Sequence, residues 1–319
     1  MKGRLLLGCG SVVAAALTVF GVAAVAADEI KREYVPGREN AIPHVSGDRK
    51  FSDTFEKWKD PAAIMAAKKA GLKSHEMNFK DFRWMEKSLD GEFALEEGRK
   101  LFNESNDKGQ SCASCHGQDG ETLKGVHATS PKVNPRTGKV TVIPTQIRTC
   151  AEERLGRTDL HEETRGNTML AYWIGYLSDG QEINVDVTTP GPLKDSYERG
   201  RDLYFRRVGN FHFACASCHT PPTAGNYLRG QRPTTFFGDA SQYPIYHFPY
   251  QLEGHNRGYV FTLQHQIKSC QMLSRMYQGK EGSPSMTDIE TFLMASSNGY
   301  KVSIPTSEYN MNTDYLGRE

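Results

Sequence analysis

Two stretches of the chain carry apolar residues at the three- and four-residue spacing of a helix with one buried face. Each stretch ends at a glycine, which is a common helix stop. The stretches contain Leu170, Trp173, Ile174 and Leu177 before Gly180, and Ile289, Phe292 and Leu293 before Gly299. This pattern predicts two packing helices.

Upstream of each predicted packing helix, a glycine is followed four residues later by an aromatic residue. Gly98 precedes Phe102, and Gly200 precedes Tyr204. Residues four apart lie on the same face of a helix. The repeated order of elements predicts a mainly α fold with an internal repeat.

The first 27 residues form another apolar stretch with a different meaning. Lys2 and Arg4 precede a run of apolar and small residues, and Val25 and Ala27 are suitably placed for cleavage near Ala27. We expect an export signal, residues 1–27, and a mature protein in the periplasm. A lipoprotein site at Cys9 is the alternative, but most of the apolar run follows this cysteine.

Residues 28–88 are predicted to be a charged N-terminal extension. Two amphipathic stretches, near 61–72 and 79–89, favour an arm that packs against a domain or a partner. No later run of about 18 apolar residues predicts a membrane span in the mature chain. Loss of the two leader cations leaves 37 basic against 38 acidic residues, a balance that gives no reason to propose nucleic-acid binding.

The sequences CASCHG at 112–117 and CASCHT at 215–220 each contain Cys-x-x-Cys-His. This is the attachment signature of haem c, because two thiols three positions apart bond both vinyl groups and the next residue supplies an imidazole ligand. We therefore predict two covalently bound haem c groups. Their attachment residues are Cys112, Cys115, Cys215 and Cys218, and their proximal axial ligands are His116 and His219. A thioredoxin-like pair or a zinc site is the alternative.

The repeat continues around each motif. The upstream glycines precede the first motif cysteines by 14 and 15 residues, and the distances from Cys150 to Gly180 and from Cys270 to Gly299 are 30 and 29 residues. Helix, haem motif, irregular chain, distal ligand and packing helix is the order of a small cytochrome c. We predict two tandem cytochrome c-like domains, residues 89–190 and 191–300, followed by a tail, residues 301–319.

The second half has a longer segment between the histidine of the motif and the later cysteine, 51 residues against 34. The extra chain is rich in aromatic residues, which suggests a working site or a docking surface over one haem edge. These residues are Tyr227, Phe236, Phe237, Tyr243, Tyr246, His247 and Tyr250.

Cys150 and Cys270 end two nearly identical pentapeptides, QIRTC and QIKSC. A disulfide between them would suit an oxidising compartment. Their equivalent positions in the repeat instead favour one cysteine facing each haem. Met169 and Met272 both lie 53 residues after their motif histidine, but they follow the repeated cysteines by 19 and by 2 residues, so they are not equivalent. We interpret these methionines as core or haem-wall residues.

Axial thiolates would change the chemistry of both haems. An anionic, soft sulfur favours ferric over ferrous iron and lowers the reduction potential. A thiolate also keeps nucleophilic character and can react with sulfur compounds.

The region from Gly91 to Gly299 resembles the SoxA family, the dihaem type of the catalytic subunit in the thiosulfate-oxidising complex. The resemblance rests on the paired CASCH motifs, RRVGNFHFACASCH, LRG at 228–230, YPIY at 243–246, and a cysteine after each haem motif.

The resemblance implies that Cys150 and Cys270 are the axial thiolates of the first and second haems. It further implies that Cys270 is the active-site cysteine, often carrying an extra sulfur. Members of the family form a heterodimer with SoxX, a small monohaem cytochrome, and couple thiosulfate to a cysteine of the carrier protein SoxYZ. The implied activity is that of an L-cysteine S-thiosulfotransferase, with two electrons leaving through haem.

One position departs from the family pattern. The family usually has an arginine four residues before the active-site cysteine, and this chain has Gln266. A neutral amide cannot match the paired, charge-assisted hydrogen bonds of a guanidinium to sulfate-like oxygens. Lys268 and His265 are nearby candidates for substrate binding, alongside Gln266. Three arginines of the long segment are also available: Arg229, Arg232 and Arg257.

Three other functions compete with this hypothesis. A thiosulfate dehydrogenase would join two thiosulfates into tetrathionate, but a cysteine ligand to its second haem is not expected. A low-potential electron-transfer cytochrome would use the thiolates only to tune potential. A dihaem peroxidase is disfavoured because it needs an open or displaceable distal site, which no feature of the sequence indicates.

Overall fold

The computed structural model describes residues 60, 62, 89–220, 233, 235–247, 259–304, 307 and 308. The predicted signal peptide, nearly all of the N-terminal extension and most of the tail lie outside these residues. Within the described part the fold is mainly helical, which confirms that part of the predicted fold class.

The described residues up to Tyr176 contain four α-helices and one hairpin. The elements are α1 (Leu89–Asn103), α2 (Ala113–His116), 3₁₀ turns Gln118–Leu123 and His127–Thr129, β1 (Lys132–Val133), β2 (Val140–Thr141), α3 (Ile143–Cys150), a π-helical turn Ala151–Leu155, and α4 (Arg165–Tyr176). Strands β1 and β2 are antiparallel, with Lys132 opposite Thr141.

The elements after Gly191 add a small three-stranded sheet to a second helical group. They are α5 (Pro192–Phe205), α6 (Ala216–His219), α7 (Phe236–Asp239), a 3₁₀ turn Ala240–Gln242, β3 (Ile245–His247), β4 (Tyr259–Phe261), α8 (Leu263–Leu273), α9 (Pro284–Ser296) and β5 (Ser307–Glu308). The sheet order is β4-β3-β5, and β3 pairs antiparallel with β4 and parallel with β5.

Local sequence explains where the important helices begin. Thr164 caps α4 by accepting a hydrogen bond from the backbone N–H of Asn167, and Thr262 caps α8 in the same way from His265. Helices α3, α5 and α9 instead have a proline in the first turn, where no backbone donor is needed.

Two helix crossings hold the described part together, and a glycine lies at each. In the crossing of α1 with α4, Gly98 faces the backbone oxygen of Met169. In the crossing of α5 with α9, Gly200 faces the backbone oxygen of Asp288. A Cβ atom at either glycine would overlap the facing oxygen, so the hydrogen atom of glycine permits the close approach.

The aromatic residues of the long segment have a different role from the predicted one. Phe236, Phe237 and Tyr243 are buried. Phe236 stacks on Phe292 of α9 with ring centroids 5.3 Å apart. The interpretation as a docking surface was wrong for these three residues, because they fill the core beside α5 and α9. Tyr227 and Tyr250 lie outside the described residues.

The fold continues past residue 300, where the sequence suggested a tail. Val302 and Ile304 are buried in the core. Gly180 donates its backbone N–H to Val302, and Val302 donates to Gln181, at 2.8 and 2.9 Å. This segment therefore ties the end of the second helical group to the chain that follows α4.

None of the helices in the part of the chain that the structure describes is both long enough and apolar enough to span a membrane.

Candidate functional site

Each Cys-x-x-Cys-His motif folds into a single helical turn. The backbone N–H of His116 donates to the oxygen of Cys112 at 3.0 Å, and that of His219 donates to Cys215 at 3.1 Å. The turn brings the two motif cysteines and the histidine onto one short segment, as two thioether bonds and an axial imidazole require.

The middle serine of each motif stabilises its turn. Ser114 Oγ accepts the backbone N–H of Ser111, and Ser217 Oγ accepts that of Ala214, both at 3.0 Å. This role was not predicted from the sequence, in which the repeated CASCH motif was the available signal.

The surroundings of the motifs suit uncharged groups. Burial raises the pKa of Cys112 and Cys218, and it raises the pKa of Cys215 to about 12. Burial also lowers the pKa of His116. A thioether sulfur and a neutral imidazole carry no charge, so these residues fit a covalently attached haem c. In the described part, no group of three or more His, Cys, Asp or Glu side chains could hold a metal ion, as the zinc alternative would need.

Cys150 is the last residue of α3, and its sulfur faces an open cleft. The cleft has a volume of about 370 Å³ and is lined partly by the β1–β2 hairpin. Gln146, one helical turn earlier, donates its side-chain Nε2 to Cys150 Sγ at 3.1 Å. Burial is the main cause of the raised pKa of Cys112, and an electrostatic interaction with Cys150 adds to it.

Cys270 repeats this arrangement on α8 with a looser contact. Gln266 Nε2 lies 3.8 Å from Cys270 Sγ, and Gln266 Oε1 is buried without a hydrogen-bond partner among the described residues. The pKa of the buried Tyr204 is raised by its burial and further by Cys215 and Cys270. Tyr204 therefore interacts electrostatically with the second motif and with Cys270.

The other two candidates for substrate binding lie beside carboxylates. Lys268 Nζ is 2.7 Å from Glu163 Oε1. His265 Nδ1 is 2.9 Å from Glu281 Oε1, and its ring contacts that of Phe261 with centroids 4.2 Å apart. Gln266 contacts the sulfur of Cys270, because a residue four positions earlier lies on the same face of the helix.

The alternative of a disulfide between Cys150 and Cys270 can be compared with the structure. In the described part of the chain no disulfide joins any of the six cysteines, so that alternative is not supported. The two methionines also differ from one another. Met169 is fully buried beside Gly98, in agreement with a core role, whereas Met272 is 53% exposed and is not a core residue.

Two adjacent glutamates connect the cysteine-bearing helices. Arg148 Nε lies 2.9 Å from the buried Glu162, and Lys268 Nζ reaches Glu163. Each cation stands two residues before its cysteine and therefore projects from another face of its helix. The two ion pairs therefore link α3 and α8 to one short segment, residues 162–163. These ion pairs were not predicted from the sequence, because Lys268 and Glu163 are 105 residues apart.

Comparisons with known proteins agree with this geometry. A family model described as SoxA/TsdA, cytochrome c domain, matches residues 97–183, which include the first haem motif and Cys150. The protein named L-cysteine S-thiosulfotransferase subunit SoxA of Pseudaminobacter salicylatoxidans is 30% identical over 216 residues, or 67% of this chain and 72% of that protein. Its namesake from Hydrogenobacter thermophilus is 31% identical over 185 residues, or 57% of this chain and 68% of that protein.

A solved structure is also similar. The crystal structure of SoxXA from P. pantotrophus contains a chain that superposes with a TM-score of 0.61 at 26% identity. The match covers 69% of this chain and 79% of that chain.

Proposed function

We propose, because the chain belongs to the SoxA family of L-cysteine S-thiosulfotransferase subunits, that it couples thiosulfate to a cysteine of a SoxYZ-type carrier protein. The observation that carries this proposal is the contact of Gln266 with Cys270 on α8, close to the second haem motif. It supports a sulfur that is held near haem and stays available for chemistry.

We assign the chain's residues to two haem c groups in two tandem cytochrome c-like domains, residues 89–190 and 191–300. Thioether bonds would be made by Cys112 and Cys115 in the first domain and by Cys215 and Cys218 in the second. The axial ligands would be His116 with Cys150, and His219 with Cys270. The two equivalent crossings at Gly98 and Gly200 support the repeat. When bound, each haem supplies an iron that exchanges single electrons.

The reacting group in this proposal is the thiolate or persulfide of Cys270. The reaction joins the outer sulfur of thiosulfate to the carrier's cysteine sulfur, so that one S–S bond forms and the S–H bond breaks. One proton and two electrons are released, and a SoxX-type cytochrome in a heterodimer with this chain accepts the electrons. Cys270 holds the sulfur in transit because sulfur exchanges readily between thiolates and S–S bonds.

Thiosulfate is an anion and needs hydrogen-bond donors or positive charge near Cys270. Gln266 is our first candidate for a direct contact, because its amide nitrogen lies 3.8 Å from the sulfur. Lys268 and His265 are further candidates for attracting the anion. Each already contacts a carboxylate oxygen, at 2.7 Å for Lys268 and 2.9 Å for His265, and this carboxylate competes with the anion.

The test of this function is product analysis. The purified complex of this chain with a SoxX-type cytochrome is mixed with thiosulfate, a SoxYZ-type carrier and an electron acceptor. We expect the carrier cysteine to gain one thiosulfate, detected as a mass increase that a thiol reductant removes. Tetrathionate formed equally well without the carrier would support a thiosulfate dehydrogenase, and no reaction at all would support an electron-transfer cytochrome.

The location in the periplasm remains a prediction from residues 1–27, which lie outside the described part of the chain. Export would place the protein where haem attachment and a carrier protein of this type are expected.

A further inference from the structure

We propose that Gln146 is a positioning residue for the axial sulfur of Cys150, and that Asn134 orients it. Together they keep the first haem as an electron-transfer site, whereas the looser second site supports sulfur chemistry. This inference deepens the proposed function and rests on its assignment of Cys150 as an axial ligand.

The contact between Gln146 and Cys150 is short. Gln146 Nε2 lies 3.1 Å from Sγ, compared with 3.8 Å for Gln266 and Cys270. Both glutamines stand one helical turn before their cysteine, so sequence spacing alone does not explain the difference. A short N–H donor to sulfur withdraws electron density and leaves less for the metal.

Asn134 in the β1–β2 hairpin explains why Gln146 presents its nitrogen to the sulfur. Asn134 Oδ1 accepts the backbone N–H groups of Arg136 at 2.9 Å and Thr137 at 3.3 Å. These bonds commit the oxygen of Asn134, so its Nδ2 is the group that meets Gln146 Oε1, at 3.3 Å. An amide whose oxygen is held in this way directs its own N–H₂ group toward Cys150.

Backbone hydrogen bonds of the β1–β2 hairpin hold Asn134 in place. The backbone N–H of Asn134 donates to Lys139 at 2.8 Å, and β1 pairs with β2 through Val133 and Val140. Cys150, Gln146 and Asn134 all line the same cleft of about 370 Å³. The hairpin therefore fixes the orientation of the Gln146 amide, and this amide positions the sulfur of Cys150.

At Cys270, no described residue plays the part that Asn134 plays for Gln146. Gln266 Oε1 is buried and meets no donor in the described part of the structure. Without an orienting partner the amide is a weaker donor to Cys270, as its longer distance indicates. The amide of Gln266 therefore withdraws less electron density from its sulfur than that of Gln146 does, which favours reaction of Cys270 with a sulfur compound.

The difference predicts separate effects on two reduction potentials. A hydrogen bond to a ligating sulfur stabilises the electron-rich, reduced metal centre, so its removal lowers the potential. In a Gln146→Leu variant with both haems attached, one redox wave should move to a more negative potential and the other should stay. Gln266→Leu is the matched control, since it should move only the other wave, by a smaller amount.

The Asn134→Leu variant tests the orientation of the Gln146 amide without changing the packing of Gln146 itself. It leaves Gln146 in place and removes the group that fixes its amide, so the same wave should shift in the same direction but less. The readouts are potentiometric titration of the visible haem bands and the EPR g values of the ferric protein, and neither needs turnover. If Gln146→Leu does not assemble, Asn134→Leu alone decides the question.

The proposal is overturned if Gln146→Leu or, where that variant fails, Asn134→Leu leaves both waves and the EPR spectrum unchanged. It is also overturned if the Gln146 and Gln266 variants move the same wave. Failure of the proposed function has a different signature, because an absent carrier adduct in the unmodified protein would leave the predicted shifts of potential intact.

Discussion

The Cys270→Ser variant is expected to lose transfer of thiosulfate to the carrier by about 10³-fold or more, with both haems still attached. Serine has nearly the same shape as cysteine, but its hydroxyl is a far weaker nucleophile than a thiolate and cannot carry a persulfide. Haem attachment should survive because it depends on the four cysteines of the two motifs. Mass spectrometry of the carrier and the haem absorbance of the variant measure the two quantities.

Ser269→Ala is the matched control for this experiment. It changes the residue next to Cys270 on α8 without touching the sulfur, and it should keep most of the transfer activity. Carrier modification by Cys270→Ser at a rate close to that of the unmodified protein would refute the assignment of Cys270. If Cys270→Ser does not retain its haems, the same experiment is done with Cys270→Met, which offers the iron an uncharged sulfur.

The Gly200→Ala variant is expected to lower the free energy of unfolding by about 2 kcal/mol. A Cβ at this position would overlap the backbone oxygen of Asp288 and press on Phe292. Overpacking of this kind costs up to about 3 kcal/mol, and alanine returns about 1 kcal/mol through its higher helix propensity. Thermal and denaturant unfolding of the haem-loaded protein measure the difference.

Asp202→Ala provides the comparison for the helix itself. Asp202 is exposed on the same helix, so this variant gains propensity without a clash and should be neutral or slightly stabilised. If Gly200→Ala unfolds at the same temperature as Asp202→Ala, the close crossing of α5 and α9 does not determine stability as we infer.

Periodicity and spacing were enough to predict the helices that surround the site. The apolar residues from Leu170 to Leu177 lie in and just after α4, and those from Ile289 to Leu293 lie in α9. Gly98 and Gly200 were identified because a glycine and an aromatic residue recur on one helix face. These features depend on neighbours within a few residues, which a sequence displays directly.

Features that depend on the arrangement of distant segments could not be predicted. The pairing of Lys268 with Glu163 joins residues 105 positions apart, and the sequence suggested a free cation instead. Phe236 and Phe237 belong to the long segment that the sequence suggested as a docking surface, but they fill the core beside α9. Asn134 has no periodic signal either, because its role arises when the hairpin folds over α3.

The repeated glutamine of QIRTC and QIKSC is an intermediate case. Its recurrence four residues before each cysteine was visible, and that spacing already implied a shared helix face. Only the structure distinguishes the two copies, by distances of 3.1 and 3.8 Å to the sulfur.

The central claim is that Cys150 and Cys270 each bind the iron of their own haem opposite a histidine. EPR spectroscopy of the ferric, unmodified protein measures this most directly, since an axial thiolate compresses the spread of g values of a low-spin haem relative to a histidine–methionine pair. We predict two low-spin signals, both with the compressed spread. A spectrum in which either haem has the wide spread of a histidine–methionine site, or is high-spin with no sixth ligand, would contradict the account.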